Sequence, residues 1–147
     1  MIKVVPDTNV IIKGMMGYTS AHRQLMNLSL SKEVVLYGSK ETFDEFCEKI
    51  RTDKFDPYWK TKIFSLEKVI MDYKTLINMI EISEEADKME VPIKDKDDAI
   101  FFKIAKSCGA SLIVSADVKH VIKIKEFQGI KAITAERFLE AFNKVSA

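Results

Sequence analysis

The chain has 147 residues, 47% hydrophobic and 31% charged, a balance that fits a soluble globular protein and excludes a disordered one. Its 23 basic and 22 acidic residues leave a formal charge of +1. No whole-protein field therefore draws in nucleic acid, although a basic rim can still surround an acidic centre. No apolar run approaches the roughly 20 residues that cross a bilayer, and the opening MIKVVPDTN has no signal-peptide core. Cys47 and Cys108 lie on apolar helix stripes without CxxC spacing and read as reduced core residues. The expectation is a single cytoplasmic domain over residues 1–147, with no membrane association.

Ile2 to Val5 reads as a short strand closed by Pro6, with Asp7 just past its end. Asp7, Thr8 and Asn9 are helix-capping side chains, and Val10-Ile11-Ile12 then enters a helix that Gly14 and Gly17 interrupt. A second helix is predicted from about Ser20 to Leu30, and a second strand at Val34 to Tyr37. Gly38-Ser39 turns the chain into a helix from Lys40 to about Arg51, striped by Phe43, Phe46, Cys47 and Ile50. Asp56-Pro57 opens another, carrying Trp59, Ile63, Phe64, Leu66, Val69, Ile70 and Tyr73. Asn78 to Ile82 reads as a strand, and Glu84 to Glu90 as a charged surface connection.

The stretch DKDDAIFFKIAKSCGASLIVSAD, Asp95 to Asp117, is the most informative. Phe101, Phe102 and Ala105 follow Asp98 at helical spacing, so Asp98 sits over the face they bury. Leu112-Ile113-Val114 is a run typical of a parallel strand covered on both faces, and Asp117 follows its end. Val118 to Ile124 is then a short helix, Ile130 to Ile133 a last strand, and Thr134-x-x-Arg137 the start of a final amphipathic helix. Strands alternating with helices imply an α/β fold, a three-layer α/β/α sandwich around a mostly parallel sheet of about four to five strands. There is no glycine-rich phosphate loop, which argues against a Rossmann or P-loop nucleotide site.

The carboxyl edge of a parallel sheet is where such folds place ligands. Asp7 and Asp117 should lie along it, and Asp98 enters it at a helix start. Carboxylates 4 Å apart repel by about 4 kcal/mol at an effective dielectric near 20, so protons or a cation must enter. Oxygen ligands without histidine or cysteine point to Mg²⁺ or Mn²⁺ rather than zinc. Each acid also has a plainer reading: Asp7 and Asp95 as helix caps, Asp98 as a first-turn acid favoured by the helix dipole. Capping explains neither the inward face of Asp98 nor the position of Asp117. The Lys40 helix offers Glu41, Asp44, Glu45 and Glu48, and periodicity alone reads all four as a solvated face. Nothing in the pattern links His22 with His120, which read as surface or structural residues.

Val5-Pro6-Asp7-Thr8-Asn9-Val10 resembles the opening of PIN-domain nucleases. Ser39 with Glu45-Phe46 is similar to their second-strand exit. Asp98 with Ala105, then Gly109-Ala110 and Leu112 to Asp117, resembles their third and fourth acids, and Thr134 to Leu139 their last-helix entry. The likeness spans nearly the whole chain, except for about Thr52 to Pro92, and is nearest to the VapC-like branch of toxin components. Ala99 stands where that branch commonly carries a further Asp.

The resemblance implies four acids, Asp7, Glu45, Asp98 and Asp117, holding one or two Mg²⁺ or Mn²⁺ ions, with Asn9, Ser115 and Asp95 supporting them. Asp97 is a further acid of the same cluster. The implied activity is a metal-dependent endoribonuclease that cleaves single-stranded RNA with water, leaving 5′-phosphate ends. An antitoxin protein partner and a homodimer are implied as well. Lys13, Arg23, Lys40, Lys94, Lys96, Lys119 and Lys123 lie near the motif ends and are candidates for the RNA backbone. A non-catalytic PIN-like RNA-binding or scaffold domain is the competing reading, though such domains usually lose an acid. Phosphoryl transfer through Asp7 is a third, weakened because the DxD of those phosphatases is Asp7-Thr8-Asn9 here.

Overall fold

The structure is a computed structural model and describes residues 1–17, 20–52, 54 and 65–146. Its centre is β1 (Ile2–Pro6), flanked in parallel by β2 (Val34–Gly38) and β4 (Leu112–Val114). Beyond β2 lies β3 (Ile77–Met79), and beyond β4 lies β6 (Ile130–Ile133), both parallel to their neighbours. A two-residue β5 (Glu126–Phe127) pairs antiparallel with β6, giving the order β3-β2-β1-β4-β6-β5. The sheet is thus mostly parallel, as expected, with a sixth strand that the sequence reading lacked. Gln128 and Gly129 both adopt positive φ, 50° and 81°, the turn that joins two antiparallel strands through two residues.

Alternation along β1 divides the core. Val4 packs with α1 (Thr8–Met16), α2 (Ala21–Leu30), α3 (Lys40–Ile50), α4 (Leu66–Leu76) and α7 (Ala135–Ser146). Val5 packs on the opposite side with α6 (Ala99–Cys108), through Phe101, Phe102, Ile104 and Ala105. Successive side chains of a strand point to opposite faces, so two adjacent buried valines feed two cores and the sheet is covered on both sides. A three-layer α/β/α sandwich results. Among the described residues no helix is long and apolar enough to cross a membrane.

Several boundaries differ from the sequence reading. Gly14 does not interrupt α1; the helix runs on to Met16 and ends at Gly17. A Cβ at Gly14 would lie within 2.9 Å of Met26 and the His22 carbonyl, so this glycine lets α1 and α2 approach closely. The start predicted at Asp56-Pro57, with Trp59, Ile63 and Phe64, lies outside the described residues, and α4 is capped by Ser65. The chain passes directly from α4 into β3, which starts one residue before the predicted strand and ends at Met79 rather than Ile82. Within Glu84–Glu90 the chain makes one helical turn, α5 (Glu84–Asp87), which Ser83 caps while Ala86 is fully buried.

Val118–Ile124 is not a helix but turns followed by a short 3₁₀ segment, Ile122–Ile124. Two causes act there. Val118, Val121, Ile122 and Ile124 are β-branched, and the Asp117 carboxylate takes the His120 N–H in a local turn. Phe102 is fully buried between α6 and the sheet, one turn beyond Asp98. Phe102→Ala should lower the unfolding free energy by about 3–5 kcal/mol in denaturant titration. A loss below about 1 kcal/mol would mean that α6 does not anchor this side of the sheet.

Candidate metal centre

From β1 the chain builds outward through β2 to β3, then returns to place β4 on the other side of β1. The carboxyl ends of β1 and β4 therefore flank the point where strand order reverses, the place where open parallel sheets bind ligands. Asp7 and Ser115 occupy those two ends. Asp7 N–H donates to the Val114 carbonyl at 2.9 Å and Ser115 N–H to that of Ile133 at 2.9 Å, so the ladder extends one residue past each strand and fixes both.

Asp7 is 5% exposed, and both of its carboxylate oxygens are engaged. Oδ1 accepts the Val10 N–H at 2.9 Å, which caps α1, while Oδ2 accepts the Ser115 hydroxyl and the Ala116 N–H, the latter at 3.2 Å. The capping reading and the converging-acid reading of Asp7 therefore describe one carboxylate. Burial raises its pKa, against the opposing pull of Ser115, the two N–H donors and the Lys49 charge. Ser115 Oγ also accepts the Asp117 N–H at 3.0 Å, so a single hydroxyl positions one acid and the backbone of another.

Asp98 occupies the N-cap of α6 but makes no capping hydrogen bond there, because its backbone is already helical. Its carboxylate forms no hydrogen bond or ion pair among the described residues, although it is half buried. Its pKa is pushed up to about 6, chiefly by burial and then by the charges of Asp95, Asp117, Asp7 and Glu45. Four acids from separate elements thus act on one carboxylate. Asp95 itself closes the turn before α6, accepting the Asp97 N–H at 2.9 Å.

Glu45 is half buried, whereas Glu41, Asp44 and Glu48 on the same helix are exposed. It is the α3 acid whose charge reaches Asp98. A helical wheel measured against the core stripe misses this, because the site lies above the sheet edge rather than in the core. Glu45 Oε1 pairs with Lys49 Nζ at 3.0 Å, and Lys49 also reaches Asn9 Oδ1 at 3.5 Å. Asn9 is thus hydrogen-bonded to Lys49 and, among the described residues, to none of the four acids.

Lys49 was not among the candidate cations read from the sequence, yet it lies among these acids. His120 is an exposed residue, as expected, and its Nδ1 lies 3.2 Å from both carboxylate oxygens of Asp117. The i,i+3 spacing of Asp117 and His120 was the signal for that contact. Lys13, Lys40, Lys94, Lys96, Lys119 and Lys123 are exposed and Arg23 is half buried. None of these seven forms an ion pair among the described residues.

Oxygen donors with a shared negative field suit a hard divalent cation in chemistry. Their spacing is open: among the described residues no three His, Cys, Asp or Glu side chains stand close enough to hold an ion as placed. Glu45 is turned onto Lys49 and Asp117 onto His120, so ligation would require those two acids to give up these contacts for the metal.

The fold is a three-layer α/β/α sandwich whose mostly parallel sheet carries Asp7 and Asp117 at its carboxyl edge, with Asp98 at a helix start beside them. A family model described as PIN domain matches residues 3–119, and the chain belongs to that family. The match spans Asp7, Glu45, Asp98 and Asp117. Among solved structures, the fold is similar to a chain of VapBC2 from Rickettsia felis, crystallised bound to a DNA fragment from their promoter. That likeness has a TM-score of 0.60 and 11% identity, and it covers 89% of this chain and 97% of the other. No curated protein sequence matches the chain significantly.

The raised pKa of Asp98 has a sign that can be measured. Between the ordinary carboxylate value of 3.8 and about 6, the folded protein holds a proton that the unfolded chain releases. Stability should therefore be higher below this window and fall as pH rises through it. In chelator, the melting temperature of wild type should drop between about pH 4 and pH 6, and Asp98→Asn should flatten that drop and melt higher at pH 7. An unchanged profile in the variant would mean that the acids do not crowd Asp98.

Proposed function

We propose that the protein is a metal-dependent endoribonuclease that cleaves single-stranded RNA, with Asp7, Asp98 and Asp117 holding Mg²⁺ or Mn²⁺ and Glu45 completing the set. The observation that carries this reading is Asp98, a half-buried carboxylate with no partner among the described residues and a pKa raised first by burial and then by four neighbouring acids. An acid kept for capping or solubility would not be held in that condition. A divalent cation bound there would neutralise charge on the phosphate and lower the pKa of the attacking water.

The chain's own groups have separable parts. Ser115 holds the Asp7 carboxylate and the Asp117 backbone in fixed register. Lys49 and His120 balance Glu45 and Asp117 until the ligands are recruited. The hydrogen bonds on both oxygens of buried Asp7 tell against its use as a phosphoryl-accepting nucleophile.

The family match and the likeness to a VapBC2 chain support the further proposal that this is the toxin of a toxin–antitoxin pair. On this reading it is a single cytoplasmic domain, works as a homodimer, and meets an antitoxin at the acidic edge. A non-catalytic PIN-like RNA-binding scaffold is the second reading, favoured by the open spacing of the acids and the seating of Lys49 on Glu45.

Thermal shift on adding Mn²⁺ separates the two, since a ligand that binds only the folded state must raise its melting temperature. Wild type should shift clearly and Asp98→Asn should not. The RNA fragments produced with Mn²⁺ should carry 5′-phosphate and 3′-hydroxyl ends. No shift at millimolar Mn²⁺ would favour the scaffold, and a 2′,3′-cyclic phosphate product would mean that the ribose hydroxyl attacked instead of water.

A further inference from the structure

Two grooves adjoin the acidic edge, and their charges are opposite. The larger, about 760 Å³, includes Glu45 and Lys49 and is lined by six carboxylates against three ammonium groups. A phosphodiester strand is repelled along that wall. The other, about 450 Å³, begins at Val118, the residue after Asp117. It is lined by Lys123, Lys125, Lys131 and Arg137, with no carboxylate among its described lining residues. These four cations come from the 3₁₀ segment, the residue after it, β6 and α7.

All four are exposed, and none forms an ion pair among the described residues. Glu126, the register partner of Lys131 in the β5–β6 hairpin, forms no ion pair with it among the described residues. Four unpaired cations in one groove are notable in a chain whose formal charge is only +1. Lys125 is also held there at a cost, with φ 65° and ψ −63°, a γ-turn geometry that is rare and strained for a residue with a side chain. The hydrogen bonds of its N–H to Ile122 and its carbonyl to Ala132 keep it in place. Between the cations lie Val118, Ile122 and Ile133, with Val118 61% exposed. This gives an apolar floor under charged walls.

We propose that this groove is the RNA-binding track of the protein: its four cations take the phosphates of a single strand passing beside Asp117, and its apolar floor takes the bases. The inference rests on the ribonuclease reading and adds where the strand runs. Of the four cations, Lys123 alone stood among those suggested by motif position; Lys125, Lys131 and Arg137 join it only through the fold.

The test is fluorescence anisotropy of a labelled single-stranded oligouridylate in chelator across a range of salt. It compares wild type with Lys123→Gln/Lys125→Gln, Lys131→Gln/Arg137→Gln and, from the acidic side, Lys94→Gln/Lys96→Gln. Each released counterion contributes about 0.7 to the slope of log affinity against log salt for a single strand. Each groove double variant should therefore lose about 1.4 of slope, with weaker binding and an unchanged melting temperature, while the Lys94/Lys96 variant keeps the wild-type slope. Lys131→Arg, which preserves the charge, should bind as wild type and controls for any loss of folding.

Unchanged binding in both groove variants would overturn the proposal, as would loss confined to the Lys94/Lys96 variant. Competition by polyglutamate as effective as that by unlabelled RNA would also overturn it, since the groove would then fit an acidic polypeptide. Thermal shift with Mn²⁺ on the same proteins keeps the two readings apart. Groove variants that retain the shift but bind RNA normally sink the track alone. A missing shift in wild type, alongside weakened RNA binding in the groove variants, sinks the metal reading and leaves the track.

Discussion

The hydrogen bonding of one buried carboxylate organises the functional end of this molecule. Asp7 sits where strand order reverses, and its oxygens join the first turn of α1 to the residues that follow β4. A carboxylate taken from water without partners would be costly. Three donors meet most of its bonding capacity, and two of them, from Ser115 and Ala116, do so only while β1 and β4 stay in register. The placement of Asp117 follows from the same arrangement, because the Ser115 hydroxyl bonded to Asp7 also holds the Asp117 backbone.

Around that anchor, like charges are managed by two opposing means. Glu45 and Asp117 each have an internal cationic partner, Lys49 and His120, though the histidine is charged only when protonated. Asp98 has none, and proton uptake is the response left to it. The edge is therefore partly neutralised and partly strained in electrostatic terms. A cation could relieve Asp98 directly but would have to compete for Glu45 and Asp117, so affinity and selectivity for metal are shaped by Lys49 and His120 as well as by the acids.

Much of this was legible in the sequence, because the signals were local and periodic. The Val4-Val5 pair, the Leu112–Val114 run and the spacing of Phe101, Phe102 and Ala105 from Asp98 each encode burial on a known face. Asp7, Asp98 and Asp117 follow from their positions at element ends. Glu45 did not follow from periodicity, since the wheel of α3 reports distance from the core and not from the sheet edge; only family resemblance selected it. The pairing of Lys49 with Glu45 has a local signal, their i,i+4 spacing on α3, whereas its reach to Asn9 depends on α1 and α3 lying side by side, a tertiary fact. The β5–β6 hairpin was missed for a different reason: two residues are too few for any alternation to register, and the Gln128-Gly129 turn was the only clue.

The contact between Ser115 and Asp7 also bears on biosynthesis. It joins residues 108 positions apart, and the parallel pairing of β1 with β4 that supports it is equally non-local. Such contacts form late, because a long segment must be ordered before they return any stability. On the ribosome the helices and the β1–β2 pair can begin to organise early, but Asp7 lacks its serine partner until Ser115 has emerged. An acidic edge assembled from residues at opposite ends of the sequence is therefore absent from chains that stop short of Ser115 and Asp117. If its chemistry is directed at RNA, the nascent protein cannot attack the message and ribosome that are producing it.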